Sequence, residues 1–584
     1  MEQKLEYKRH TLAHLLAAAV KDKYPHAKLT LGPAIDTGFY YDVDFSGGDA
    51  PGEDDLKGLQ KAMKKLMNKW TEFTHEEVSA DKAREVFAGN EFKIELINEI
   101  ESRGETITLY TCGGFTDLCR GGHTENPKEE ISTDAFKLDR IAGAYWRGDE
   151  KNPMLTRIYG IAFDTAEELA EYEAQIVAAK ERDHRKLGKE LDLFTFSDLI
   201  GSGLPLFTPK GTMMRNLITD KISKIQTKYG YQNVTIPHIT KSDLYKTSGH
   251  WDKFGDELFK VKGQSDTEFV IKPMNCPHHT QIFDSRPRSY KELPIRYSEN
   301  TMVYRDEQQG ELLGLSRVRS ITQDDGHVFC TVDQIAQEIE NIVSVIEEFY
   351  QSLGMYEEGK FWVSLSVRDM QTPEKWLGDT AVWDTAENIL EEVAKKLALP
   401  YQRIEGEAAF YGPKLDFMFN DALGRKQQLA TAQLDFIMPE RFGLSYVDNT
   451  GAKQTPVMIH RAISGSLERF MAVMIEHFAG NFPLWLSPEQ IRIIPVSDAQ
   501  VEYATRVYTE LKAIGLRATL DDGKDSMGKK IRHAKKEKLP YFVVLGDKEV
   551  ADKKVTLEAR DGTSKEISLS SLANHLLTEI DMIK

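Results

Sequence analysis

The chain switches between two hydrophobic periods, and the switches divide it. From His10 to Val20 the run HTLAHLLAAAV consists of good helix formers, which puts His10 and His14, four apart, along one helical face. Short helical and strand patterns then alternate up to about residue 160, punctuated by Cys112-Gly113-Gly114 and Gly121-Gly122. Residues 165–187 carry Leu169, Tyr172, Ile176 and Ala179 at helical spacing behind an Asp164-Thr165 cap, predicting one connecting helix. A long central region is rich in β-branched and aromatic runs such as Phe361–Val367 and Lys414–Phe419, which predict strands. Gly480-Asn481-Phe482-Pro483 breaks that pattern. Beyond it Ile491–Val496, a helix from about Asp498, Leu516–Leu520, a second helix and Tyr541–Leu545 alternate as a small α/β domain. The predicted domains are therefore 1–163, a linker helix 164–187, 188–483 and 484–584, with no internal repeat and no low-complexity tract.

Composition narrows the classes. Of 584 residues, 41% are hydrophobic and 29% charged, an ordinary globular balance with room for several cores. Lys and Arg total 75 against 92 Asp and Glu, a formal net charge of −17, which excludes a uniformly basic nucleic-acid coat but not a local basic patch. No apolar run reaches the ~18 residues of a membrane helix, and the charged start MEQK lacks a signal-peptide core. Four cysteines are too few for a disulfide framework. The expectation is a soluble, cytoplasmic protein with no membrane partner.

Two sets of residues carry candidate chemistry. Near the start, His10 and His14 join Cys119 and His123 of Cys119-Arg-Gly-Gly-His123, a group able to bind zinc or to organise a water for hydrolysis. Pattern alone leaves metal and metal-free chemistry both open. In the centre, Tyr304-Arg305-Asp306-Glu307 precedes a glycine-marked loop, Arg317 and Arg319 restart the chain, and Arg469 follows at the head of an apolar helix. Singly these are ordinary solvated charges; together, guanidinium forks around a loop suit a bent polyphosphate. Cys276, His327 and His460 form a dispersed third set without finger spacing, which as three ligands would leave a fourth position open.

The segments IKPMNCPHH, YRDEQQGELLGLSRVRSITQDDGH, AAFYGPKLDF, TAQLDF and VMIHRAISGSLERF resemble those of bacterial threonyl-tRNA synthetases, and the resemblance runs from about His10 to the C-terminus. It implies an α+β multidomain fold: an α/β editing domain, a class II catalytic domain on an antiparallel sheet, and a C-terminal α/β anticodon-binding domain. Pro237 resembles the proline that ends class II motif 1, which implies a homodimer. The implied activity is threonine–tRNA ligation from ATP, threonine and tRNA(Thr), with Mg2+ accompanying ATP. Arg305, Glu307, Arg317, Gln428 and Arg469 would bind ATP, with Lys414 and His250 completing the catalytic set and His250 handling the tRNA terminal ribose. Such transfers run on positioning and electrostatics, so arginines rather than a covalent nucleophile are expected. Met274, Gln323, Asp325, Tyr411 and Ser466 would bind the amino acid, and Cys276, His327 and His460 would hold one Zn2+ per chain.

The resemblance also gives the N-terminal set a purpose. A site built to bond a hydroxyl rejects valine by ~10⁴-fold or more, whereas serine lacks only a methyl, worth ~1–3 kcal/mol. Serine must therefore be removed by hydrolysis. By resemblance His10, His14, Lys93, Asp117, Cys119 and His123 form that editing site, and they work without metal. Seven Lys or Arg between Lys524 and Lys538 form a basic patch suited to tRNA phosphates, with Lys538, Glu549 and Arg560 as implied anticodon contacts. Two departures from the family stand out. The nine residues before His10 leave no room for its extra small N-terminal domain, and Ile321 replaces the usual adenine-stacking phenylalanine, a loss of about 1 kcal/mol. The alternative, a non-catalytic RNA-binding regulator on the same scaffold, needs neither the phosphate arginines nor the Cys/His/His set.

Overall fold

The structure, a computed structural model, describes residues 2–264 and 266–582; the outer limits expected for the first and last domains, Met1 and Lys584, lie outside the described residues. The chain forms two compact units that meet between Val177 and Ala178.

In the first unit, helix Glu2–Lys23 is buried all round over Thr11–Val20, with Leu12, Ala13, Leu15, Leu16, Ala17, Ala19 and Val20 at most 1% exposed. It packs against an antiparallel sheet in the order Lys28–Leu29, Gly38–Asp44, Met154–Ala162, Phe136–Tyr145, with Ala34–Ile35 paired to the second of these. A helix apolar on every side must be enclosed. Only the polar groups on its N-terminal half, His10 and His14 among them, then remain to face a site. A smaller antiparallel sheet, Thr74–Val78, Ile107–Cys112 and Phe115–Leu118, brings Asp117 and the loop after it.

The second unit is built on an eight-stranded sheet. Its order is Gln232–Asn233, Ile295–Tyr304, Ser320–Cys330, Val457–Ser466, Lys426–Asp435, Lys414–Asn420, Phe361–Val367, Tyr401–Glu405, antiparallel except where the two edge strands join. Helices Pro209–Lys228, Ile335–Gln351 and Leu467–His477 cover it through one apolar core. After Ala479 and Gly480, which both take positive φ, the chain enters a five-stranded sheet. There Ala518–Leu520, Ile491–Pro495 and Tyr541–Leu545 lie parallel, and Lys554–Ala559 with Ser564–Ser568 adds an antiparallel hairpin.

The α+β multidomain reading holds, and strands Phe361–Val367 and Tyr541–Leu545 match their sequence limits. The single linker helix does not. The structure has Ala166–Arg182, then a break at Asp183, then His184–Glu190. Asp183 turns out of the helix and accepts from the Arg185 amide, while the His184 amide bonds the Glu476 carboxylate at 3.1 Å. Two amides thus find partners outside the helical ladder, and the helix restarts.

Candidate active site

Strand Ser320–Cys330 sets up the central pocket. Its period of two puts Ile321, Gln323, Asp325 and His327 on one face. The neighbouring strand Val457–Ser466 pairs His460 directly opposite His327, and Ser466 opposite Gln323, with a bulge between Gln323 and Asp325. Two imidazoles on adjacent strands are thereby held together by backbone register alone. Cys276 opens helix Cys276–Asp284, and its sulfur and one nitrogen of each histidine all lie within 4.8 Å of one another, buried. His327 Nε2 is 3.1 Å from His460 Nδ1. A tetrahedral zinc with bonds of about 2.0–2.1 Å would set two such nitrogens about 3.3 Å apart, so the donor set fits that metal. His460 Nε2 meets Asp435, fully buried, at 2.8 Å, and His327 Nδ1 meets His279 at 2.7 Å; these partners fix how each ring points. Burial pushes the Cys276 thiol well up and holds His327 well down, so both favour their neutral forms.

A cavity of about 130 Å³ opens beside these rings, lined by Met274, Gln323, Asp325, Tyr411, His327 and His460 among others. Asp325 accepts from Asn275 at 3.0 Å, and the Tyr411 ring stands 5.4 Å from that of His460. Ser466 caps helix Leu467–His477 by accepting from the Arg469 amide at 3.3 Å. Buried Asp324 bonds Gln226, Arg461 and the Ile463 and Ser464 amides. Gly326 is required there, because a Cβ would fall 2.4 Å from the Arg461 guanidinium that lies across it.

Arg305 directs Nη2 to the Met274 sulfur at 3.0 Å and lies over Phe254, and its Nε is buried without a partner. Arg317 is paired with Glu307 at 2.7 Å and Glu311 at 3.0 Å, so a nucleotide that uses both Arg317 and Glu307 must part them. Arg469 is exposed and pairs with no carboxylate among the described residues. Lys414 pairs with Asp416 at 2.6 Å, and Gln428 is exposed with its amide 3.4 Å from Thr431. His250 is buried beside the Cys276, His327 and His460 cluster, 2.8 Å from Ser248 and 4.0 Å from Cys276, and burial lowers its pKa to about 4.

The N-terminal residues also converge. His10 and His14 approach at 3.2 Å, and Cys119 lies 3.5 Å from His10 and 3.3 Å from His123. Lys93, in the first turn of helix Glu91–Ser102, sits 2.5 Å from Asp117, whose other oxygen takes the Tyr41 hydroxyl at 2.5 Å and lies 3.2 Å from His14. Burial opposes charge here, yet Asp117 and Cys119 raise His14 to about 9, and the three histidines bring Cys119 down to about 3. Burial lowers His123 to about 4. A cavity of about 330 Å³ lies against His10, His14, Tyr41, Lys93, Asp117 and Cys119.

In the C-terminal domain, helix Met527–Lys536 exposes Lys529, Arg532, Lys535 and Lys536, while Lys530 is buried and donates to the Asp521 carbonyl. Lys538 and Arg560 point elsewhere: Lys538 donates to the Ala479 carbonyl at 2.6 Å and Arg560 to that of Phe482. Glu549 is half-buried and accepts from the Gly546 amide at 3.0 Å. Sequence reasoning assigned no role to Asp435, His279 or Tyr41. Asp435 and His279 stood inside the TAQLDF and IKPMNCPHH segments, a local signal; Tyr41 carried none.

Three family models match the chain. They are the tRNA synthetase class II core domain (G, H, P, S and T) at 259–478, the anticodon binding domain at 490–579, and the threonyl and alanyl tRNA synthetase second additional domain at 107–159. The threonine–tRNA ligase of Gloeobacter violaceus is 47% identical over 565 residues, 96% of this chain and 89% of that one. That of Synechococcus elongatus is 44% identical over 582 residues, 98% and 95% of the two chains. The crystal structure of the RNA binding domain of threonyl-tRNA synthetase from Cryptosporidium parvum superposes with a TM-score of 0.64 at 37% identity, covering 68% of this chain and 98% of that one. On this identity over nearly its whole length, and with an editing domain, a class II core and an anticodon domain in that order, the chain belongs to the threonine–tRNA ligases, which are class II aminoacyl-tRNA synthetases and enzymes.

Proposed function

We propose that the chain activates threonine with ATP, transfers it to tRNA(Thr), and hydrolyses seryl-tRNA(Thr) at its N-terminal cluster. The observation that carries this reading is the cross-strand pair His327 and His460 beside Cys276, with Asp325 on the same strand face and Arg305 against Met274, which lines the cavity. A threonine carboxylate oxygen attacks the ATP α-phosphorus, the bond to the β-phosphate oxygen breaks, and pyrophosphate leaves with Mg2+. Arg305 neutralises the charge that grows on the α-phosphate, and its unpartnered Nε is a donor in reserve. Arg317 and Arg469 hold the outer phosphates, Glu307 and Gln428 contact the nucleoside, and Lys414 adds a cation. Adenine packs on Ile321.

Cys276, His327 and His460 would hold Zn2+, which when bound supplies a cation for the amino and hydroxyl groups of threonine. Asp325 then accepts from the hydroxyl, while Met274, Gln323, Tyr411 and Ser466 enclose the rest. Valine would leave Asp325 unsatisfied; serine would not. The tRNA terminal hydroxyl next attacks the adenylate carbonyl and AMP leaves, with neutral His250 placed to order the ribose. In the N-terminal cluster His10, His14, Lys93, Asp117, Cys119 and His123 position a water against a mischarged ester and carry its proton. The exposed face Lys529, Arg532, Lys535 and Lys536 meets tRNA phosphates, and Glu549 reads a base; Lys538 and Arg560 contribute through the domain's seating rather than by first contact. Two copies pair through the motif 1 region ending at Pro237, where apolar Met213 on helix Pro209–Lys228 is exposed in this chain. The reaction belongs to the cytoplasm; no helix among the described residues is long and apolar enough to cross a membrane.

ATP–pyrophosphate exchange with a panel of amino acids, on protein of measured zinc content, tests the reading. Threonine should be the best substrate, with one zinc per chain. Best exchange with proline or serine, or full exchange without zinc, would overturn it.

A further inference from the structure

Asp183, His184 and Glu476 form a third cluster of ligand-type side chains, with their ligand atoms within 4.8 Å of one another. Each is already engaged. Asp183 pairs with Arg185 at 2.5 Å, and Glu476 takes Arg425 on one oxygen and His184 on the other. His184 is 3% exposed and bonded at both ring nitrogens: Nδ1 lies 2.6 Å from Glu476, and Nε2 accepts the Leu315 amide at 3.0 Å. The cluster is therefore an anchor, and what it anchors matters. Leu315 sits in a tight turn closed by Leu313 and Arg317, whose backbones bond each other at 3.2 and 3.3 Å. Gly314, at φ +50°, lies so close that a Cβ would fall 2.3 Å from His184 Nε2. Arg317 leaves this turn pointing at Glu307.

We propose that His184 is a positioning residue for ATP: its neutral ring, proton on Nδ1 towards Glu476, offers Nε2 to the Leu315 amide and so fixes the turn that carries Arg317. This rests on the reading of Arg317 as a phosphate contact. Its logic is that of an unsatisfied amide. Without the Nε2 acceptor the buried Leu315 N–H loses its partner, and the turn must shift to find water. The guanidinium two residues on then loses its fixed approach. The pin lies on the helix that restarts after Asp183, so the break in the linker and the nucleotide loop are one device.

The test separates the two nitrogens. His184→Asn keeps an amide able to bond Glu476 but cannot reach Leu315, whereas His184→Gln carries an acceptor out to the Nε2 position. Threonine-dependent exchange should show the ATP KM raised about tenfold in His184→Asn, with the threonine KM and kcat within about twofold, and near-parental ATP KM in His184→Gln. Gly314→Ala, which displaces the same turn from the other side, should reproduce the ATP-selective rise. Equal effects in the Asn and Gln variants, or losses spread over both substrates and matched by a lower melting temperature, would reduce His184 to a structural residue and overturn the proposal. A parent protein without threonine-dependent exchange would overturn the functional reading itself. Normal exchange in the parent with an unchanged ATP KM in His184→Asn would overturn this inference alone.

Discussion

The ammonium of Lys93 and the carboxylate of Asp117 are each 2% exposed and 2.5 Å apart, and the two ends of this pair are unequally supported. Asp117 keeps three other donors when Lys93 is gone: the Leu118 amide at 2.8 Å, the Tyr41 hydroxyl at 2.5 Å and His14 at 3.2 Å. Lys93 without Asp117 keeps only the Tyr41 oxygen at 3.3 Å and the ring faces of Tyr41 and Phe87. Removing one member of a buried pair costs about 3–5 kcal/mol. Lys93→Met should therefore fall near about 3 kcal/mol and Asp117→Asn near about 5 kcal/mol, because the second strands an ammonium and the first does not. In the double variant neither charge remains, so its cost should fall short of the sum by at least about 2 kcal/mol. Native-state hydrogen exchange over helix Glu2–Lys23 reports the stability of this unit separately from the rest of the chain. Equal single costs, or a double variant equal to the sum, would show that the pair is not the electrostatic centre of the unit.

Three further outcomes follow from other contacts. Asp435→Ala frees the His460 ring and should weaken zinc binding about 10–100-fold in chelator competition; unchanged affinity would mean that Asp435 does not orient it. Burial lowers Lys272 to about 8. Below pH 8 its ammonium is charged in folded and unfolded chains alike, and between pH 8 and 10.5 only the unfolded chain binds the proton. Stability should rise with pH across that window by on the order of 2 kcal/mol after solvent screening, and thermal melts of Lys272→Met should lack the rise. Replacing His10 and His14 together by Ala should leave threonine activation within about twofold while abolishing deacylation of seryl-tRNA, and equal deacylation rates in parent and variant would make those histidines structural.

Local period was enough to place Phe361–Val367 and Tyr541–Leu545, because a strand buried on both faces reads as an apolar run with sharp edges. The His10 and His14 pair was legible for the same reason, being a spacing within one helix. What brings Cys119, Lys93 and Asp117 to that pair is tertiary; residue type joined Cys119 to it, and only resemblance suggested Lys93 and Asp117. Asp435 lies 25 positions before its partner His460, and His184 lies 292 positions before Glu476. No window of sequence contains such a bond. The misread linker has this cause: Asp183-His184-Arg185 is acceptable helix sequence, and the helix stops there because Glu476 takes the His184 amide.

Two clusters of Cys and His in one chain invite one explanation, and their electrostatics argue for two. Around Cys119 the charges are already separated: the thiol is drawn down to about 3, His14 up to about 9, and Asp117 with Lys93 stands behind them. Such a cluster holds its own ion pairs and has proton donors and acceptors poised at neutral pH. Around Cys276 burial acts with less compensation: it drives the thiol up and His327 down, and raises Asp325 too, with Arg305 and Arg461 nearby. Neutral imidazoles are what a metal ligates, and a thiol gives up its proton readily only to a cation that replaces it. Burial with little compensation thus supports the proposed metal at Cys276, His327 and His460, and the buried Lys–Asp pair supports the proposed proton transfer in the N-terminal cluster. The residue types are shared; the neighbouring charges differ, a buried Lys93–Asp117 pair in one case and Asp435 with Arg305 and Arg461 in the other, and that difference supports the two proposed roles.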